Sequence, residues 1–435
     1  MRQMKDSGIE WVGEIPENWN IKKGKFIFKQ RNSRGNDIEL QLLSPTQKYG
    51  VIPQSMYEQL SGMKAVKLDE STDFALLKIV HKGDYCISLR SFQGGFELSE
   101  YDGVVSPAYQ VFYPVTSVDR RYFKYMFKDK SFIDKMNSYT MSLRDGKNIA
   151  YSDFADSYLP IPPIQIQSKI AAALDYKCTE IDNAIFKTTA SIEEYKKLKQ
   201  SIITKAVTKG IRGNRPMKDS GIEWIGEIPA NWDVCFSSRF ITSTQNGLTR
   251  RDSKDSQGNI VLKLKNISAD GVINYHYKNR ISLTDKELEN YRLYSGDLLF
   301  VRVNGSKELV GKNAIYQDIG ELVAYNDHII RVRLDKKVCN EEYFHWFLMS
   351  NYGKCQIELH TATAAGQYTI SSEGLKDIRV TVPSMSEQVE IISYLDKKTK
   401  NIDNIISRKQ QLITELKAYK KSLIYEYVTG KKEVV

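Results

Sequence analysis

An internal repeat constrains the fold of this chain more than any other feature of its sequence. Residues 4–19 read MKDSGIEWVGEIPENW and residues 217–232 read MKDSGIEWIGEIPANW, with fourteen of sixteen positions identical at an offset of 213. A second block, 162–208, aligns without a gap on 383–429 at an offset of 221, with 18 identities in 47 positions. Self-similarity on this scale indicates two copies of one structural unit.

The segments between the repeated blocks, about 20–160 and 233–381, match poorly. The chain is therefore a repeated frame around two diverged middle segments. Uniform drift after a duplication would have left the middle segments about as similar as the frame. The contrast favours two sites that perform the same kind of task on different targets. The length of 435 residues also exceeds what one ordinary core accommodates, so two or three domains are expected.

The closing block of each copy is predicted to be helical. Proline residues mark the start of each block, Ser384 and Glu387 have the spacing of a capping box, and Gly210 and Gly430 follow the two blocks. A short helix near 165–174 and a longer one over 177–209, roughly 50 Å in length, are expected in the first copy. Apolar residues spaced alternately by four and three are typical of a coiled-coil seam. The predicted seam comprises Ile181, Ile185, Ile192, Tyr195 and Ile202, and in the second copy Ile402, Ile406, Ile413, Leu416 and Leu423.

Two arrangements of these helices are compatible with the sequence. The helices could pair with each other as an antiparallel coiled coil, which would relate the two halves by a pseudo-two-fold axis. Alternatively, each helix could pack only on its own middle segment. Mutual pairing is favoured, because one apolar seam needs a partner and the other copy supplies an equivalent one.

Both middle segments are predicted to be β-rich. Short runs with strand character, such as 84–89, 104–113, 297–303 and 322–334, are separated by glycine-containing turns. Short amphipathic helices are expected at 122–127 and 343–348. The predicted fold class is α+β, with two β-rich domains in tandem and two long helices.

Polar loops recur at matching places in the two middle segments. The first follows a Gly-Asp turn and an apolar strand and leads into an arginine, and the second lies near the end of the segment. Arginine suits recognition of guanine, and Asn or Gln suits adenine, so these loops are predicted to contact DNA. The predicted DNA-binding residues are Arg90, Ser91, Gln93, Ser142, Arg144, Lys147 and Asn148 in the first half, and Arg302, Asn304, Ser306, Lys312, Thr361, Gln367 and Tyr368 in the second.

Charge supports an anionic partner, whereas no motif of an active site is recognisable. Lys and Arg exceed Asp and Glu by 63 to 53, a formal net charge of +10. The segment from Gly305 to Asn313 fails as a phosphate loop, because five residues separate its glycines and Asn313 replaces the required Ser or Thr. The five Cys contain no CxxC pair and the five His lack zinc-ligand spacing, so no metal site is expected. No stretch of 18 apolar residues occurs, and a cytoplasmic protein is expected.

Together these motifs resemble the specificity subunits of type I restriction–modification enzymes. The resemblance rests on GIEWVGEIPENW at a domain start, a Gly-Asp-apolar-Arg strand, and a helix that begins near Pro162-Pro163 and ends in SIITKAVTKG. It covers nearly the whole chain twice. The second closing block departs from the pattern with Pro383-Ser384 in place of Pro-Pro.

The resemblance implies a separate role for each segment of the chain. Residues 1–160 and 212–381 would be target recognition domains, each reading one half of a split double-stranded DNA sequence. Residues 161–211 and 382–435 would be helical regions that pair and set the unread gap. Such a subunit is not itself an enzyme. Two methyltransferase subunits, and restriction subunits that translocate DNA, would hold the S-adenosylmethionine, ATP and Mg sites. A coiled-coil scaffold for protein partners that does not bind DNA is the alternative.

Overall fold

The computed structural model describes residues 2–35, 40–63, 74–87, 95–139, 149–250, 257–268, 270–364 and 366–434. The chain forms two compact units, Met1–Thr189 with Gln410–Val435, and Ala190–Lys409. Each unit therefore combines one middle segment with parts of both closing blocks. Over the described ranges, no helix has the length and apolar character needed to cross a membrane.

The first unit is built around an antiparallel four-stranded sheet in the order β4-β11-β8-β9, with short two-stranded pairs beside it. Its strands are β1 (Met4–Asp6), β2 (Glu14–Pro16), β3 (Asn20–Lys23), β4 (Phe28–Arg31), β5 (Leu43–Thr46), β6 (Gly50–Pro53), β7 (Lys78–Val80), β8 (Tyr85–Ile87), β9 (Phe96–Leu98), β10 (Gly103–Val105), β11 (Gln110–Pro114) and β12 (Tyr158–Ile161). Its helices are α1 (Gln54–Ser61), α2 (Arg120–Met126), α3 (Lys130–Ser138), α4 (Tyr151–Asp156), the first part of α5 (Ile164–Lys209) and the last part of α10 (Met385–Val428).

The second unit has a sheet with the same strand order, β16-β23-β19-β21, although the two middle segments share little sequence. Its strands are β13 (Met217–Asp219), β14 (Glu227–Pro229), β15 (Asp233–Phe236), β16 (Ile241–Asn246), β17 (Asn259–Leu262), β18 (Arg280–Ile281), β19 (Leu298–Val301), β20 (Val303–Asn304), β21 (Asn313–Ile315), β22 (Val323–Tyr325), β23 (Ile329–Leu334), β24 (Thr361–Ala364), β25 (Gln367–Ile370) and β26 (Arg379–Val382). Its helices are the last part of α5, α6 (Asp285–Tyr291), α7 (Glu341–Met349), α8 (Asn351–Leu359), α9 (Ser372–Lys376) and the first part of α10.

The Gly-Asp turn has a structural role in both units. Asp84 and Asp297 are buried, and each carboxylate accepts two hydrogen bonds from one arginine. Arg31 Nε lies 2.6 Å from Asp84 Oδ2, and Arg333 Nε lies 2.6 Å from Asp297 Oδ1. Each carboxylate also accepts a backbone N–H from three residues upstream, which fixes the turn. The turn therefore places a buried, paired aspartate directly before the central strand of each sheet.

The closing block of the first copy is one continuous helix, so the predicted break between a short and a long helix is wrong. Helix α5 has 46 residues, about 69 Å at 1.5 Å per residue, and α10 has 44. No proline or glycine lies within either helix, and nothing in the backbone therefore stops helix propagation before Lys209 and Val428.

Within each unit the start of one long helix lies beside the end of the other. The core of the first unit contains Ile170 and Leu174 from α5, and Leu423 and Val428 from α10. The core of the second unit contains the end of α5 and the start of α10, through residues such as Ile203, Val207, Ile391 and Leu395. The helices are thus antiparallel in each unit, and each helix also packs on the domain that precedes it in sequence.

Equivalent charge pairs join the two long helices in each unit. Lys420 Nζ lies 2.7 Å from Asp182 in the first unit, and Lys199 Nζ lies 2.7 Å from Asp403 in the second. The two aspartates are 221 positions apart, as are the two lysines, so the repeat offset holds for both partners. All ten residues of the predicted seam are buried or partly buried, whereas their flanking neighbours are mostly exposed. The α+β class and the antiparallel helix pair agree with the sequence prediction.

Candidate nucleic-acid interface

A small three-stranded sheet brings the two predicted polar loops of the second half together. Strand β25 pairs with β20 on one side and with β24 on the other, all antiparallel. Asn304 on β20 and Thr363 on β24 both lie opposite Tyr368 on β25. Residues about 60 positions apart in the sequence therefore share one sheet.

Apart from Ala362, the exposed residues of this sheet and of the turn after β20 are polar or glycine. Ser306 and Gln367 are exposed, and Asn304, Thr361 and Tyr368 are partly buried. A Cβ added to Gly305 or Gly366 would meet no atom within 4 Å, so the described protein leaves open space beside both loops. An amide, hydroxyls and a phenol on an open edge provide both donors and acceptors for base edges.

Arg302 joins this small sheet to the four-stranded sheet. Its backbone N–H donates to the His328 carbonyl at 2.8 Å, and its own carbonyl accepts the Ile370 N–H at 3.0 Å. One guanidinium nitrogen, Nη1, donates to the Asp327 carbonyl at 3.1 Å. This bond fixes the direction of the side chain and uses one of the five donors of the guanidinium group.

The turn of Asn326, Asp327 and His328 belongs to the same region, and the sequence prediction missed it. The predicted strand 322–334 is interrupted here, because β22 ends at Tyr325 and β23 begins at Ile329. His328 Nδ1 lies 2.9 Å from Asp327 Oδ1 and 3.2 Å from Asn326 Nδ2. Three consecutive polar residues between two apolar runs were the available signal for this turn.

Lys312 lies at a different place from the other predicted residues. It lines a cavity of about 400 Å³ together with Lys307 and Lys354. Burial lowers the pKa of Lys354, and the nearby Lys312 charge lowers it further. Glu308 and Glu358 also line the cavity, and Lys307 Nζ lies 3.5 Å from Glu358 Oε2, so the lining carries both charges. Its walls come from helices α7 and α8 and from residues 307–313.

The predicted contacts of the first half, namely Arg90, Ser91, Gln93, Ser142, Arg144, Lys147 and Asn148, lie outside the described residues. The strand that leads to the first of these loops, β8, is buried and central, like β19 of the second unit. Among the residues that the structure describes, no group of three or more His, Cys, Asp or Glu side chains could hold a metal ion.

Comparison with known proteins identifies the family. A family model described as the type I restriction modification DNA specificity domain matches residues 12–194 and 258–415. Because these two matches cover more than half of the chain, the protein belongs to the type I restriction–modification DNA specificity family. One match falls on each half of the internal repeat.

Curated relatives are specificity subunits of type I restriction enzymes. The chain is 25% identical over 317 residues to the type I restriction enzyme StySPI specificity subunit of Salmonella potsdam, a match that covers 70% of this chain and 65% of that protein. It is 26% identical over 279 residues to the EcoKI specificity subunit of Escherichia coli K12, covering 62% and 58%. The matched region thus spans less than two thirds of either relative.

Solved structures share the fold. A chain from a structure of the assembly and conformational transition of the type I R-M system aligns with a TM-score of 0.72 and 12% identity, covering 96% of this chain and 99% of that one. The HsdS subunit of Thermoanaerobacter tengcongensis aligns with a TM-score of 0.55 and 13% identity, covering 98% and 100%. These likenesses support the fold, with its tandem β-rich domains and long helices.

Proposed function

We propose that this chain is the sequence-specific DNA-binding subunit of a type I restriction–modification system and recognises a bipartite target. The observation that carries the proposal is the repeated specificity-family match on two domains that share one sheet order but differ in the amino-acid sequence of their loops. Two domains of one fold with different loop sequences can each recognise a different half-site. The formal net charge of +10 suits a polyanionic partner.

The partners proposed with this function are double-stranded DNA, two methyltransferase subunits, and restriction subunits that translocate and cut DNA. Catalysis belongs to those partners, together with S-adenosylmethionine, ATP and Mg. The chain itself would supply sequence recognition and the docking surface, in the cytoplasm where the DNA lies. The names of the matched relatives support this assignment, because each is the specificity subunit of a type I restriction enzyme.

In the second half we propose that the β20-β25-β24 sheet faces the DNA. Gln367 is exposed, and its amide can pair with the N6 and N7 edge of adenine. Arg302 is held at one nitrogen by the Asp327 carbonyl, and its remaining donors are available to a guanine edge or a phosphate. A good two-bond base contact contributes about 1–3 kcal/mol of discrimination.

The test uses the chain assembled with its methyltransferase subunits. Mapping the methylated adenines of host DNA first gives the bipartite target. Gel-shift titrations of Gln367→Ala and Arg302→Ala should then show specific binding weakened by about 1–3 kcal/mol, with preference relaxed at one position of one half-site. If Arg302 contacts a phosphate instead, affinity should fall evenly across sequences and the salt dependence should become shallower.

Lys286→Ala is the matched control for the loss of charge, because Lys286 is an exposed residue of α6 outside the small sheet. It should retain the wild-type preference at every position. Unchanged binding by both interface variants would remove this site assignment. An assembled complex without any preference for the mapped sequence over random DNA would instead favour the coiled-coil scaffold.

A further inference from the structure

In the second half, a buried carboxylate joins an arginine and a tryptophan. Glu387, in the first turn of α10, is 1% exposed. Its Oε2 accepts the Trp232 indole N–H at 2.9 Å, and its Oε1 accepts from Arg215 Nη1. The Arg215 guanidinium also lies over the Trp232 ring, 5.1 Å from the ring centroid. Both donors of this cluster therefore bind one carboxylate group.

The first half keeps the two donors and lacks the carboxylate. Arg2 and Trp19 are the repeat equivalents of Arg215 and Trp232, and the Arg2 guanidinium lies 5.6 Å from the centroid of the Trp19 ring. Position 166, the equivalent of Glu387 at the offset of 221, is isoleucine. Trp19 is 1% exposed, and within the described ranges its Nε1 has no hydrogen-bond acceptor.

The surrounding backbone is built alike in both halves, so the difference is local to one side chain. Gln167 and Gln388 follow the differing position, and each accepts a backbone N–H, from Asp119 and Asn340 respectively. Each glutamine side chain also donates to a proline carbonyl at the start of its helix. The orphaned indole of the first half is therefore not explained by a different helix start.

A cavity in the first half is lined both by Trp19 and by Ile166, the equivalent of Glu387. It has a volume of about 350 Å³ and is lined by Arg2, Gln3, Glu17, Asn18, Trp19, Ile166 and Glu433. Position 166 is in the first turn of the 46-residue helix α5, whose positive dipole end favours an anion. Burial lowers the pKa of Arg2, and the Glu433 carboxylate acts in the opposite direction, which places the Glu433 charge near this guanidinium.

We propose that this cavity of the first half is a carboxylate-binding site, with the Trp19 indole N–H and the Arg2 guanidinium as its donors. An unpaired buried donor destabilises the fold, and a carboxylate removes that cost through charge-assisted hydrogen bonds. The carboxylate has two sources with the same chemistry. One is Glu433 of the chain itself, and the other is an Asp or Glu side chain of a protein docked against the N-terminal segment.

The test follows the indole N–H resonances of the full chain by ¹⁵N TROSY NMR. Five tryptophans give five such signals, and Trp19→Phe identifies one of them. Sodium acetate is the probe, and sodium chloride at equal ionic strength is the control for screening. We expect a saturable shift of the Trp19 signal with half-saturation on the order of 1–100 mM, as suits a four-atom ligand. The Trp232 signal should stay constant, because Glu387 already occupies its site.

Three substitutions, two at Ile166 and one at Glu433, distinguish the two sources of the carboxylate and supply the control. Ile166→Glu introduces the carboxylate that the second half has at Glu387, so the Trp19 signal should shift without acetate and should no longer respond to acetate. The control Ile166→Val should keep the acetate response of the wild type. If Glu433→Gln alone moves the Trp19 signal and makes it respond to acetate, the carboxylate comes from the chain itself. A response in the wild type shows that Glu433 leaves the site open to an external carboxylate. A Trp19 signal that is indifferent to acetate in both the wild type and Glu433→Gln, and unmoved by Glu433→Gln itself, overturns the proposal.

Discussion

Truncation of Ile424 should loosen the first recognition domain, although this residue follows the second domain in the sequence. Ile424 belongs to the core of the first unit and is 7% exposed. Its repeat equivalent, Ile203, belongs to the core of the second unit and is 2% exposed. The two positions thus provide a matched pair in which each helix end stabilises the unit of the opposite repeat.

The size of the effect follows from burial. Replacing a buried isoleucine by alanine costs about 2–5 kcal/mol, which includes the cavity left behind. A domain of this kind is stable by about 5–15 kcal/mol, so Ile424→Ala removes a substantial fraction of that margin. Amide exchange that depends on opening of the first unit should therefore accelerate by roughly 30- to 5,000-fold.

Hydrogen exchange read by mass spectrometry on peptides of the two four-stranded sheets provides the assay. Ile424→Ala should accelerate exchange in β8 and β11, and Ile203→Ala should accelerate exchange in β19 and β23. Each variant is the control for the other, because both remove the same atoms from equivalent helix positions. If Ile424→Ala loosened β19 and β23 instead, the assignment of helix ends to units would be refuted.

Three further predictions concern spacing, specificity and pH. Inserting seven residues after Thr189 and seven after Gln410 should lengthen the helix pair by about 10 Å and the unread gap by about 3 base pairs. Mapping of methylated sites should show both half-sites unchanged, and altered bases at a fixed gap would contradict this prediction. Exchanging residues 233–381 for another recognition segment should alter one half-site, and a change in both would show that the segments form a single site. Burial lowers the pKa of His345 to about 4, and its Nδ1 lies 2.7 Å from Asn313 Oδ1. Because the pKa of His345 is lower in the folded state than in the unfolded state, protonation favours unfolding. The free energy of unfolding should therefore be highest above about pH 6.5 and should fall by about 3 kcal/mol as the pH drops toward 4. Urea unfolding of the wild type at several pH values should show the loss, and His345→Gln should reduce it.

The sequence alone determined the frame of this protein. The repeat predicts two equivalent halves, and the apolar spacing from Ile181 to Ile202 predicts a long paired helix, because both signals are local and periodic. The short helices at 122–127 and 343–348 correspond to α2 and α7. The family resemblance also follows from contiguous motifs, which a single sequence displays directly.

Only the tertiary structure shows how the diverged middle segments fold and which residues they bring into contact. The two middle segments form the same sheet order despite their different sequences, because many apolar side chains satisfy one pattern of strand burial. The partners of Asp84 and Asp297 come from different places, namely the first strand of one sheet and the second strand of the other. Nothing local to either Gly-Asp turn indicates which arginine will reach it.

Glu387 shows most directly why local patterns fall short. Its spacing from Ser384 predicts a capping box, and the backbone half of that motif is present, with the Glu387 N–H 3.4 Å from Ser384 Oγ. Its carboxylate instead binds Trp232 and Arg215, which are more than 150 positions away in the sequence. A buried carboxylate is stabilised by whichever donors the fold brings within reach, since desolvation makes those bonds obligatory. The sequence places a glutamate in the first turn of α10, and only the packed structure selects the groups that it binds.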